Sequence, residues 1–194
     1  ISINEWQLRD FSENKYKNVD DKAYGGGAGM VMQVKPIRDC IKKIKEQKPE
    51  TKVIYLSPQG EPLNQNLVEK LSSFESLTLL CGRYEGVDER IIKNDVDLEV
   101  SIGDYVISGG ELAAMVLIDS VSRRLPNVLG NKDSLNDSFV NNLLDYPHYT
   151  RPESIDGDIV PEVLLGGNQA KIDAWRLEQA KNKTKQKRPD LLSN

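Results

Sequence analysis

Hydrophobic positions along the chain switch between short apolar runs and a helical period. Residues 52–56 and 77–81 are apolar runs that predict strands. Between them, Leu63, Leu67, Val68 and Leu71 recur on one face of a helix predicted over 63–72. Residues 36–46 predict a helix with proline in its first turn. A short helix is expected at 88–94, with short strands at 99–102 and 105–107. The next helix opens at Ser108-Gly109-Gly110-Glu111 and runs to about Arg124. It carries Leu112, Ala113, Met115, Val116, Leu117, Ile118 and Val121. It is apolar nearly all round, which predicts burial in the core or in a subunit interface. Strands alternating with helices predict an α/β fold with a parallel sheet. Ile1 and Ile3 alternate with polar neighbours, as in a strand already under way, so further residues are expected upstream.

Residues 10–29 are polar, then glycine-rich, and read as a long loop. Residues 130–145 are rich in Asn, Asp and Ser and read as a linker. After them come Tyr146-Pro147-His148-Tyr149-Thr150-Arg151-Pro152-Glu153 and a small, mainly helical segment. Its main helix is expected to start near Asn168 and to include Ile172 and Trp175. The expected organisation is therefore a domain at 1–129, a linker at 130–145 and a second domain at 146–194. No internal repeat interrupts it.

Composition bounds the function. Hydrophobic residues are 38% and charged residues 29%, a soluble globular balance. No apolar run approaches the roughly 20 residues that cross a bilayer, and no signal segment opens the chain. A cytoplasmic protein with no membrane partner is expected. The net charge of −4 argues weakly against a nucleic-acid partner, but steering depends on local charge. Lys42, Lys43 and Lys45 form one basic run. Lys181, Lys183, Lys185, Lys187 and Arg188 form a denser one; a solvated helix face is the default reading of both, and the second suits phosphates better than the first. Cys40 and Cys81 form no CxxC pair, so neither a structural zinc nor a redox motif is indicated.

Three strands end in loops of one kind: Ser57-Pro58-Gln59-Gly60, Gly82-Arg83-Tyr84-Glu85-Gly86 and Ile107-Ser108-Gly109-Gly110. In a parallel sheet such loops gather at the carboxyl edge, where ligands bind. One loop would be an ordinary tight turn; three in succession favour a binding site. Gly109-Gly110 opens a helix, whose free N–H groups accept a carboxylate or phosphate. No GxGxxG follows a strand and no GxxxxGK[ST] occurs, so neither a dinucleotide fingerprint nor a P-loop is indicated. Tyr24-Gly25-Gly26-Gly27-Ala28-Gly29 has the wrong spacing for either and suits a lid equally well.

In order and spacing, YGGGAGM, YLSPQG, CGRYEGVDER, SIGDYVISGGELAAMVLIDSVSRR, DSF and YPHYTRPE resemble bacterial tRNA (guanine-N1)-methyltransferases, the TrmD family, over nearly the whole chain. The resemblance implies a SPOUT-class α/β fold with a deep trefoil knot at about residues 55–110. It also implies a small, mainly helical C-terminal domain that binds tRNA. It implies S-adenosyl-L-methionine bent into the knot, held mostly by main-chain groups at Pro58, Gly60, Gly82, Tyr84, Glu85, Ile102, Tyr105, Ile107, Gly109 and Gly110. It implies a homodimer whose active sites join one subunit's pocket to the partner's linker and C-terminal domain. Ala28, Asn127 and Gln169 depart from residues common in relatives (proline, glycine and histidine), and Gln169 bears on tRNA contact.

The chemistry sets two requirements. Guanine N1 carries a proton and is a poor nucleophile until a base within hydrogen-bond reach removes it. Negative charge then spreads to O6, where a cationic donor stabilises the transition state. By the resemblance, Asp137 is the base and Arg123 contacts the guanine edge, whose O6/N7 face suits an arginine fork. Without the resemblance, Asp137 reads as a helix N-cap and Arg123 as a surface charge. A free aspartate is a weak base, so the site must strengthen it or couple proton loss to methyl transfer. Glu85 is placed to attract a sulfonium. Some members of the family need magnesium, and that requirement is left open because no divalent-ion spacing is recognisable. His148, the single histidine, is read as packing against tyrosines and not as the base. Arg151 and the 181–188 run are expected to meet tRNA phosphates. The competing readings are a SPOUT-class enzyme for another RNA site or a protein, and a non-catalytic RNA-binding module.

Overall fold

The computed structural model describes residues 1–128 and 137–192. The chain divides into two compact units, Ile1–Val128 and Leu129–Asn194. Residues 130–136 of the expected linker, Asn136 included, lie outside the described residues.

In the first unit, β1 (Asp20–Asp21) pairs antiparallel with β2 (Val31–Met32). Helix α1 (Val34–Gln47) leads to β3 (Lys52–Pro62), α2 (Gln65–Ser72), β4 (Leu77–Cys81), α3 (Glu89–Asp95), β5 (Leu98–Ser101) and α4 (Glu111–Ser122). Strand β3 is central and parallel to both neighbours, in the order β4-β3-β5. Its residues alternate between two cores. Val53 and Tyr55 join Ile37, Ile41, Leu80 and Ile91 beneath α1 and α3. Ile54 and Leu56 join Leu67, Leu71, Val100, Ala113 and Leu117 beneath α2 and α4. Both faces are covered, so residues 53–56 are buried without a polar interruption. Among the described residues, no helix is long and apolar enough to cross a membrane.

Local chemistry fixes the helix starts. The Asn64 side chain accepts from the Leu67 N–H at 3.0 Å, and Asp88 accepts from the Arg90 N–H at 2.9 Å. Arg38 grips Asp95 through Nε and a terminal nitrogen, the shortest contact being 2.7 Å, and so ties α1 to α3.

The second unit holds a hairpin of β6 (Ser154–Ile155) and β7 (Asp158–Ile159), then α5 (Glu162–Leu165) and α6 (Gln169–Lys187). Asp156 and Gly157 both have positive φ, as a two-residue hairpin turn requires. Asn168 caps α6 by accepting from the Lys171 N–H at 3.2 Å. Ile172 and Thr184 are buried, and Trp175 lies 6.4 Å from Tyr149, centroid to centroid.

Three expectations fail. Residues 1–7 form no strand, and Ile1 and Ile3 are exposed. Alternation makes a strand only beside a partner strand, and residues 1–7 pair with none of those described. Residues 105–107 also form no strand: the Tyr105 N–H turns back to the Gly103 carbonyl at 2.9 Å, and Val106 is 88% exposed. Finally, Ser57–Gly60 is not a turn that ends β3. The strand resumes beyond it, and Leu56 and Glu61 both oppose Val100.

Helix α4 is buried on one face only. Ala113, Ala114 and Leu117 are inside, whereas Leu112, Met115 and Val116 are exposed.

Candidate active site

The 57–59 excursion of β3 and the carboxyl ends of β4 and β5 open into one cleft of about 230 Å³. Pro58, Gly82, Tyr84, Glu85, Ile102, Tyr105, Ile107, Gly109 and Gly110 line it. Gly60 does not. It is pressed against the main chain of Glu99 and Val100, where a side chain would collide. Its need for glycine comes from strand packing at the bulge.

Each wall has a local cause. After β5, the Ser101 hydroxyl and the Gly103 main chain bond at 3.2 Å, and Gly103 has φ +145°. The segment then returns to β4, where the Gly110 N–H donates to the Gly82 carbonyl at 2.9 Å. Helix α4 starts there, and Gly109, Gly110 and Ala113 line the cleft. After β4, Tyr84 adopts φ +61°, sparsely populated for a residue with a side chain. The Glu85 N–H donates to the Met30 carbonyl at 2.9 Å. That bond brings the glycine-rich segment to the site: Gly29 lies directly over the Glu85 side chain.

Several lining residues escaped sequence reasoning. Tyr55 looked like an ordinary core position, but its ring forms the floor beneath Gly82. Burial pushes its phenol above the ordinary range, with nearby Glu99 adding to the shift. Arg83 pairs with Glu111 at 3.0 Å across Gly109. The charges of these two residues were visible; their meeting depends on the approach of two loops. Burial raises Cys81 to about 11, and Cys40 likewise, so both remain thiols at neutral pH.

A family model for "tRNA (Guanine-1)-methyltransferase TrmD" matches residues 1–194. The chain belongs to the tRNA (guanine-1)-methyltransferase family. Three curated relatives, each called tRNA (guanine-N(1)-)-methyltransferase, illustrate the similarity. One from Vibrio vulnificus strain YJ016 is 58% identical over 196 residues, covering 100% of this chain and 79% of its own length. One from Shewanella piezotolerans is 59% identical with the same coverage. One from Nitrosospira multiformis is 57% identical over 194 residues, covering 97% of this chain and 76% of its own.

The two positions expected to carry chemistry in this methyltransferase family lie in different units. Arg123 is the exposed C-cap of α4, while Arg124 bonds Glu69 at 2.7 Å and ties α4 to α2. Asp137 is exposed, and its Oδ1 accepts from the Ser138 N–H at 3.0 Å. His148 lies 4.7 Å from the Tyr146 ring and 2.6 Å from Asp145. In the 181–188 run, Arg188 pairs with Asp190 and Lys183 bonds the Asp145 carbonyl. Lys181 and Lys185, one helical turn apart, are exposed on a common face. Among the described residues, no group of three or more His, Cys, Asp or Glu is placed to hold a metal ion.

Proposed function

We propose that this chain transfers a methyl group from S-adenosyl-L-methionine to N1 of the tRNA guanosine just 3′ of the anticodon. The observation that carries this reading is the convergence on one cleft of the 57–59 excursion of β3 and the glycine-bordered loops after β4 and β5, in a chain of this family. The cleft suits a ligand recognised by main-chain groups. Gly82, Gly109 and Gly110 line it, and a β-carbon at any of them would collide with a neighbour, so backbone rather than side chains forms that wall. Gly82, Tyr84, Ile102, Tyr105, Ile107, Gly109 and Gly110 would hold the donor, with Pro58 as a wall. Glu85 would offer its carboxylate to the sulfonium. The bound donor supplies an electrophilic methyl carbon, so the chain's own residues need act only on the acceptor. Asp137 accepts the N1 proton, and Arg123 donates to the oxygen where charge develops.

The reading extends to assembly. A SPOUT-class trefoil knot accounts for the close passage of 109–110 against the end of β4. A homodimer accounts for the exposed apolar side chains of Leu112, Met115 and Val116 on α4. It also lets Asp137 of one subunit serve the cleft of the other. Residues 1–129 form the catalytic domain, 130–145 the linker and 146–194 the tRNA-binding domain of a cytoplasmic enzyme. Lys181, Lys185 and Arg151 face phosphate.

The test is methyl transfer to a tRNA transcript carrying guanosine 3′ of the anticodon and to one carrying adenosine there. Methylation of the first alone is expected, and equal methylation of both would exclude this function. Asp137→Asn should lose turnover while binding S-adenosylmethionine as before.

A further inference from the structure

Thr184 is fully buried near the end of α6, and its exposure is 0%. A threonine this deep in a helix requires partners for its hydroxyl. The hydroxyl donates to the Ala180 carbonyl at 2.7 Å, within the helix. It also accepts the N–H of Leu144, 40 residues away, at 2.8 Å. The neighbouring residue does the complementary job: Lys183 Nζ donates to the Asp145 carbonyl at 2.8 Å. Two successive residues of α6 therefore hold two successive residues of the incoming chain, one by its N–H and one by its C=O.

The held residues in turn fix the segment that bears Asp137. The Asp145 N–H donates to the Ser138 hydroxyl at 3.1 Å, and the Phe139 N–H donates to the Leu143 carbonyl at 2.6 Å. Between these bonds the backbone folds back through positive φ at Phe139, Asn141 and Asn142. Ser138 then gives its own N–H to the Asp137 carboxylate. Asp137 is thus linked to a 19-residue helix by consecutive hydrogen bonds.

We propose that Thr184 and Lys183 are positioning residues for methyl transfer: they hold the Asp137 segment on α6 so that its carboxylate is presented in a defined place. The inference rests on the reading of Asp137 as the base. It removes Lys183 from the phosphate contacts expected of the basic run. A carboxylate that must reach one proton tolerates little displacement, because an error of about 1 Å in placement costs up to about a hundredfold in rate.

The test compares Thr184→Val and Thr184→Ser in the full chain by steady-state methylation of tRNA. Valine keeps the shape and removes the hydroxyl; serine keeps the hydroxyl. Thr184→Val should lower kcat about ten- to a hundredfold, leaving KM for tRNA and affinity for S-adenosylmethionine within about twofold. Thr184→Ser should restore most of kcat. Wild-type kcat in Thr184→Val, or an equal loss in Thr184→Ser, would overturn the proposal. Lys183→Met tests it even if Thr184→Val does not fold. A fall in kcat at constant tRNA KM supports positioning, whereas a raised tRNA KM at constant kcat returns Lys183 to the phosphates and overturns its assignment. Asp137→Asn, run in parallel, separates the two levels. If it keeps turnover, the base is misassigned; if it loses turnover while Thr184→Val keeps it, only the positioning role fails.

Discussion

Gly110 stands against the main chain of Cys81. A β-carbon built on Gly110 would lie 2.7 Å from the Cys81 Cα and 3.1 Å from the Gly82 nitrogen. The φ of Gly110 is −73°, which any residue adopts, so contact alone excludes a side chain. Neither neighbour can yield, because both are backbone at the end of a central-sheet strand.

Gly110→Ala should therefore force the start of α4 away from β4 and deform the cleft. The expected cost is about 1–3 kcal/mol of stability, as for other overpacking changes. Affinity for S-adenosylmethionine should fall at least about tenfold. Thermal unfolding and titration calorimetry measure the two effects. Unchanged values for both would mean that α4 starts freely of β4.

Gly29 and Gly26 separate strain from displacement. Both have positive φ, +84° and +80°, so alanine strains the backbone at either. Only at Gly29 would the new methyl meet another residue, the Glu85 side chain; at Gly26 nothing lies within 4 Å. Gly29→Ala is expected to weaken S-adenosylmethionine binding about tenfold more than Gly26→Ala does. Equal effects would show that the position of Glu85 does not matter to the donor.

Asp88 makes stability depend on acid. It caps α3 and is clasped by Arg90 at 2.7 and 2.8 Å. The Arg90 side chain, above all, lowers its carboxyl to about 2. An unfolded aspartate titrates near about 3.9, so the folded state favours the ionised form. That contribution is complete above about pH 4 and is lost as pH falls towards 2. Asp88→Ala should cost about 1 kcal/mol at neutral pH by urea unfolding. The gap to the wild type should narrow between pH 4 and pH 2, and a gap constant over that range would contradict the ion pair.

What was legible in the sequence was local. Asn64, Asp88 and Asn168 are cap residues whose chemistry acts within three positions; the helices after Asp88 and Asn168 start within one residue of the expected place, whereas α2 starts at Gln65 and leaves Leu63 outside, because Asn64 caps it. The loops after β4 and β5 could be read because glycines punctuate short apolar runs, whereas the same punctuation at residues 57–60 marks an excursion within β3. Tyr105-Val106-Ile107 misled for the same kind of reason. Its residues favour strands, but strand propensity is realised only where a neighbouring strand exists. Tyr55 and the Arg83–Glu111 pair acquire their roles from partners 27 and 28 positions away, which no period reveals. Gly60 could be read as glycine for a reason, but the reason proved to be β5 and not the cleft. Thr184 was invisible: one polar residue in a lysine-rich helix gives no sign that it holds residue 144.

The double opposition of Leu56 and Glu61 to Val100 has a consequence for inheritance. Successive strand residues point to opposite faces, so adding or removing one residue in the excursion between them would reverse the side on which Glu61 and Pro62 emerge. Substitutions within Ser57-Pro58-Gln59 leave that parity intact. Because Ser57, Pro58 and Gln59 also line the cleft, the excursion is constrained in its letters by the site and in its length by β5.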